Sequence, residues 1–272
     1  MLAQRLFTAL ILVPLVFAAV LGLPTSTFAL LAGLVVLAAA WELTRLAGLE
    51  SGPVRVAFLF ILGAVLAFLY AYRSAEWVSW AVLALASWWL VNLVVLLSGR
   101  LEPRPFRGSR PLRLVSGLFL LSGAWLALVS IHAMPRGPAL VMAFLVLIWV
   151  ADSAAYFAGR RWGRRKLAPH ISPGKTVAGA LGAVAGGALF SLVFLTPPLD
   201  LVSPVQAVFL CVATVMVSIG GDLWESVLKR ERGVKDSGRL LPGHGGVLDR
   251  IDSQIAAAPF FLAGLRLLGV EG

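Results

Sequence analysis

A chain of 272 residues that is 60% hydrophobic, 13% charged and +0.92 in mean hydropathy carries too little charge to solvate a globule of its size. Soluble domains are about 25% charged, so a bilayer is the solvent this composition fits. Apolar runs along the whole chain leave no room for a separate soluble domain, and the single Cys211 excludes an intramolecular disulfide.

A membrane-crossing helix needs roughly 20 mostly apolar residues. Such runs are predicted over 6–23, 27–47, 54–72, 77–97, 113–132, 138–158, 177–196, 204–228 and 251–269. The expected fold is an all-α polytopic membrane protein with about nine transmembrane helices. Arg5 ahead of the first run has the layout of a secretory signal, but eight further runs favour a retained helix. In the second run, Glu42 with Arg45 three residues on reads as a local interfacial pair. In the fourth, Trp77, Trp80, Trp88 and Trp89 fit an aromatic belt or packing. The loop "SGRLEPRPFRGSRPLR" (98–113) has five arginines and one acid, Glu102. It reads as a topology signal that also attracts anionic headgroups. Nucleic-acid binding is set aside, because the basic residues sit beside membrane spans rather than among stacking aromatics. The chain divides at this loop into 1–112, holding helices 1–4, and 113–272, holding helices 5–9 and two site loops, 159–176 and 229–250. In the seventh run, Gly182 and Gly186 form a small-xxx-small surface. It serves either tight packing within the chain, or a dimer seam or lipid wall.

Nine helices sort the loops into two sets. Of the 23 Lys and Arg, all but Arg73, Arg136 and Arg266 fall in the set that contains the N-terminus. Basic residues accumulate on the cytoplasmic side. The N-terminus is therefore expected in the cytoplasm and the C-terminus outside.

Acidic residues within spans are expensive and mark functional sites. In "VMVSIGGDLWESVLKR" (215–230), Asp222, Ser226 and Lys229 share a helical stripe, with Glu225 and Arg230 beside it. Gly220 and Gly221 permit close approach by a helix or a ligand. The plainer reading is an Asp222–Lys229 ion pair that only fixes packing. The following loop carries Lys235, Asp236, Arg239, His244, Asp249, Arg250 and Asp252, among Gly238, Pro242, Gly243, Gly245 and Gly246. Such a glycine-rich loop lets backbone N–H groups and cations reach phosphate. His244 also reads as a loop hydrogen bonder, and Asp252 as a helix-dipole partner. Hard carboxylates bind Mg²⁺ and cations neutralise phosphoryl oxygens, which together describe phosphoryl or nucleotidyl transfer at a membrane surface. A P-loop motif is missing from the sequence. A transporter with Asp222 on an ion path would account for the carboxylates but not for the cationic loop.

The pattern Ser226-x-x-Lys229-Arg230, Lys235-Asp236, His244-Gly245-Gly246, Asp249-Arg250-x-Asp252 resembles the signature of the CDP-diacylglycerol synthases, or phosphatidate cytidylyltransferases. Gly221-Asp222-Leu223-x-Glu225 before it, and "DSAAYFAGRRWG" (152–163) with "SPGKTVAG" (172–179), look like the same family. Ala178 stands where the family has Glu, and Gly174 where it has a basic or polar residue. The resemblance covers at least 152–253; the N-terminal third matches only in being membranous.

What the resemblance implies is CTP + phosphatidate → CDP-diacylglycerol + pyrophosphate at the cytoplasmic membrane face, dependence on Mg²⁺, association of a monovalent cation such as K⁺ with the site, and a homodimer. On this reading Asp222 and Asp249 are the leading Mg²⁺ ligands. Lys229, Arg230, Lys235, Arg239 and Arg250 are candidates for the triphosphate and the lipid phosphate. Ser172, Lys175 and Thr176 form a second phosphate-contacting element, with Ser226, Gly245 and Gly246 also on the substrate side. Asp236 orients Lys235 or assists the metal. Asp152 is either a secondary metal or cytidine contact, or a partner of Arg160–Arg165. A CTP-dependent kinase of a polyprenol-like alcohol shares this setting, and differs in releasing CDP rather than pyrophosphate.

Overall fold

The structure is a computed structural model that describes residues 2–98, 109–195, 202–241, 243 and 245–270. Among them are nine α-helices: α1 (Leu2–Gly22), α2 (Thr25–Leu46), α3 (Gly52–Ala71), α4 (Glu76–Leu97), α5 (Arg110–His132), α6 (Gly137–Trp162), α7 (Val177–Phe190), α8 (Pro204–Glu231) and α9 (Leu248–Leu267). Seven of the described helices, α2 to α6, α8 and α7 extended to Phe194, are long and apolar enough to cross a membrane. The helices start where the chain supplies caps. Ser109 accepts from Leu112 N to open α5, and Thr176 from Gly179 N to open α7. At α8, Ser203 and Gln206 cap reciprocally with Pro204 in the first turn.

One element departs from the all-helical expectation. Between α6 and α7, β1 (Lys166–Ala168) and β2 (Ser172–Thr176) pair antiparallel, with Lys166 opposite Thr176 and Ala168 opposite Ser172. Strands of three and five residues are too short to show a hydrophobic period, and Pro173-Gly174 reads as loop. Buried Ala168 and Ile171 dock the hairpin on Leu96 of α4 and on Leu223 and Val227 of α8.

The core runs through the helix interfaces. Trp89 of α4 and Trp224 of α8 meet edge to face at 6.4 Å, and Phe144 of α6 meets Phe261 of α9 at 5.4 Å. Trp89 is therefore packing, while Trp80 is exposed. Two small-residue positions also resolve. A Cβ at Gly182 or Gly186 would collide with Ala158 or Ala154 of α6, so this surface packs within the chain. A Cβ at Gly221 would strike the Asp252 carbonyl, so the close approach made there is that of α9.

The 28-residue α8 is about 42 Å long, whereas a hydrocarbon core is about 30 Å thick. It is therefore about 12 Å longer than the apolar layer is thick, and its charged residues, from Asp222 on, lie in its C-terminal part. The C-terminal ends of α2, α6 and α8 and the N-terminal ends of α7 and α9 gather there.

Candidate active site

A cleft of about 750 Å³ opens between α6, β2, α7, α8 and α9, within the usual range for ligand sites. From the sequence-predicted set it brings together Ser172, Lys175, Thr176, Asp222, Ser226, Lys229, Arg230, Lys235, Asp236, Asp249, Arg250 and Asp252. Arg239 is exposed, and Arg239, Gly245 and Gly246 do not line the cleft. His244 and Pro242 lie outside the described residues, as do Arg100, Glu102, Arg104 and Arg107 of the basic loop.

The cleft has two differently built walls. On one, Lys229 of α8 reaches Glu225 one turn back and Asp249 of α9 at 2.8 Å. Asp249 also accepts Ser237 N–H at 3.0 Å and Gly246 N–H at 2.8 Å. Both of its oxygens are thus held by fixed donors. On the other wall, the Lys175 ammonium lies 2.5 Å from Asp222 Oδ2, and Ser226 Oγ donates to Asp222 Oδ1 at 3.3 Å. Asp222 also interacts electrostatically with Asp152 of α6 and Asp252 of α9, so three helices bring carboxylates towards one lysine. The Asp222–Lys229 packing pair considered from the sequence does not form: each residue has a different partner.

Other expectations change as well. Arg230 donates Nε–H to the Ile171 carbonyl at 3.2 Å, which clips α8 to the hairpin. Thr176 Oγ1 is engaged as the α7 cap. Asp152 lies in the cleft with Lys175 and Arg250 as its electrostatic partners, while Arg160 donates to the Tyr156 hydroxyl. Lys235, Asp236 and Arg250 stand exposed at the rim.

Sequence reasoning misread Glu42. It makes no interfacial pair with Arg45. Its side chain is 3% exposed and accepts from Ser237 Oγ at 3.0 Å, Val247 N at 3.1 Å and Leu248 N at 2.8 Å. The loop glycines were expected to admit a ligand, but a Cβ at Gly238 or Gly246 would collide with this carboxylate. An acid in an apolar run was the available signal, and the nearby arginine supplied a plausible but wrong partner.

Among the described residues, no three His, Cys, Asp or Glu side chains form a ready-made metal shell. Mg²⁺ usually takes one or two carboxylates and completes its shell with water and substrate phosphate. Asp222 fits such a role, since its fixed partners are one flexible lysine and one hydroxyl. Asp249 would have to exchange one of its present donors for a metal.

A bundle of long apolar helices around a polar cleft of carboxylates, lysines and arginines defines a multi-pass membrane protein. The model of the cytidylyltransferase family matches residues 3–268, and the chain belongs to that family. The phosphatidate cytidylyltransferase of Pseudomonas aeruginosa is 43% identical over 271 residues, 99% of this chain and 98% of its own. That of Haemophilus influenzae is 34% identical over 281 residues, 96% and 97% of the two chains. The likeness therefore extends through the N-terminal helices, beyond the 152–253 stretch legible from motifs. With the enzyme of the same name from Bacillus subtilis, identity is 48% over 127 residues, 45% of each chain.

Proposed function

We propose that this chain is a phosphatidate cytidylyltransferase: CTP + phosphatidate → CDP-diacylglycerol + pyrophosphate. The observation that carries the reading is the cleft itself, in which the motif residues of α8, α9 and β2 converge, together with the near full-length likeness to enzymes of that name. A phosphate oxygen of phosphatidate forms a bond to the α-phosphorus of CTP. The bond from that phosphorus to the bridging oxygen breaks, and pyrophosphate leaves. The nucleophile is already anionic, so the barrier lies in bringing two polyanions together and in stabilising the leaving group.

Lys235 and Arg250 at the rim meet the triphosphate and the lipid phosphate. Lys175 is close enough to exchange Asp222 for a phosphate oxygen. Asp249, locked by backbone donors, keeps Lys229 at the cleft wall. When bound, Mg²⁺ supplies charge neutralisation at the phosphates, with Asp222 as first ligand and Asp249 as second. The acyl chains stay in lipid and enter laterally. With nine spans and the observed sorting of basic residues, the cleft faces the cytoplasm of a cell membrane and the C-terminus lies outside. A reporter fused after Gly272 that reads cytoplasmic would overturn that orientation.

The test is the purified protein in detergent with labelled CTP and phosphatidate. Labelled CDP-diacylglycerol and free pyrophosphate are expected. Release of CDP would indicate a kinase, and no turnover without a sealed compartment would favour a transporter.

A further inference from the structure

We propose that Glu42 is a positioning residue for this reaction: it acts from α2, across nearly the whole sequence, to set Asp249 and Lys229 in place. The proposal rests on the cytidylyl-transfer reading of the cleft. The first N–H groups of a helix lack partners within the helix and need a cap. α9 has none of its own, because Val247 precedes it and its side chain cannot accept. The Glu42 carboxylate takes that place, accepting Val247 N–H and Leu248 N–H, where it also meets the positive end of the helix dipole.

The same carboxylate accepts the Ser237 hydroxyl, and the Ser237 N–H in turn donates to Asp249. Glu42 thus holds the residue before Asp249 and one of the donors on Asp249. Asp249 then holds Lys229, which also binds Glu225. A buried carboxylate is costly unless its oxygens are hydrogen-bonded, and here three donors converge on it. Gly238 and Gly246 leave the space it fills, since a Cβ at either would displace it. Glu42 lines no part of the cleft, so it touches no substrate there.

The test uses full-length protein in detergent, reading kcat, KM for CTP and the thermal unfolding midpoint for E42Q, E42A, G238A and E42A/G238A. Charged hydrogen bonds of this kind correspond to roughly 10- to 100-fold in rate. We expect E42A to lower kcat by about that factor with KM for CTP within about twofold, and E42Q, which keeps one acceptor oxygen, to recover part of the loss. G238A is expected to resemble E42A alone and to add nothing in the E42A background. Normal kcat in folded E42A overturns the proposal. So does a kcat loss that vanishes when rates are expressed per folded molecule, or a G238A effect that adds in full to that of E42A. An inactive wild type would count against the reaction reading. Glu42 is then judged from the unfolding midpoints alone, where additive G238A and E42A effects overturn its role.

Discussion

The two walls of the cleft use the same residue types to opposite ends. At Asp249, a lysine and two backbone N–H groups surround one carboxylate, and Glu42 braces the turn behind it. At Asp222, three carboxylates share one close cation: Asp152 and Asp252 lie within electrostatic reach, and Lys175 is the direct ionic partner. Hydrogen-bonded charge rigidifies a structure, whereas uncompensated charge raises its energy until a counter-charge arrives. The first wall is a frame; on the proposed reading the second receives cations and phosphates.

The largest effect should come from exchanging the two carboxylates for amides. Asp222→Asn and Asp249→Asn are each expected to lower activity by at least about 100-fold, the scale of losing one key electrostatic contact, and chelation of Mg²⁺ should stop the wild type. Stability should separate the walls. Asp222→Asn relieves repulsion and should leave the unfolding midpoint unchanged or raised, while Asp249→Asn removes a ligand of fixed donors and should lower it. If Asp222 were only the counter-charge of Lys175, the D222N/K175M protein would regain turnover. Recovery there would remove the metal assignment.

Lys229 sharpens the contrast next. Its partner Glu225 is fully buried, so Lys229→Ala strands a carboxylate. Breaking a buried pair from one side costs about 3–5 kcal/mol. We expect a clearly lower unfolding midpoint together with lost activity, and K229A/E225Q should restore the midpoint but not the turnover. A K229A protein as stable as wild type would mean the frame is not held as described.

The smallest effects belong to the exposed cations. Lys235→Ala, at the rim, should reduce activity by roughly 10- to 100-fold with no change in unfolding, through one lost charge-assisted contact. Arg239→Ala, outside the cleft, should stay within about twofold of wild type. Equal losses from the two variants, measured as initial rates at fixed CTP, would show that the loop contributes only its net charge.

The sequence by itself determined the helices and the chemistry. A run of roughly 20 apolar residues has one low-energy answer in a bilayer, because every backbone polar group must be satisfied within the helix. Eight of the nine predicted runs therefore match described helices to within about four residues at each end, while the seventh, expected to reach 196, gives an α7 that ends at Phe190 and continues as a π-helical turn, Ser191–Leu195. The charged motif on α8 and α9 likewise named the residues of the cleft, since acids and lysines persist in such surroundings only for cause. Partnership was decided by the tertiary structure. Ion pairs depend on which helix ends meet, and the chain offers several cations within reach of each acid. Asp222 took Lys175 of a hairpin too short to leave a pattern, Lys229 took Asp249, and Glu42 passed over Arg45 for N–H groups some 200 residues away. No local period encodes such a meeting; it exists only once α2, α8 and α9 are packed.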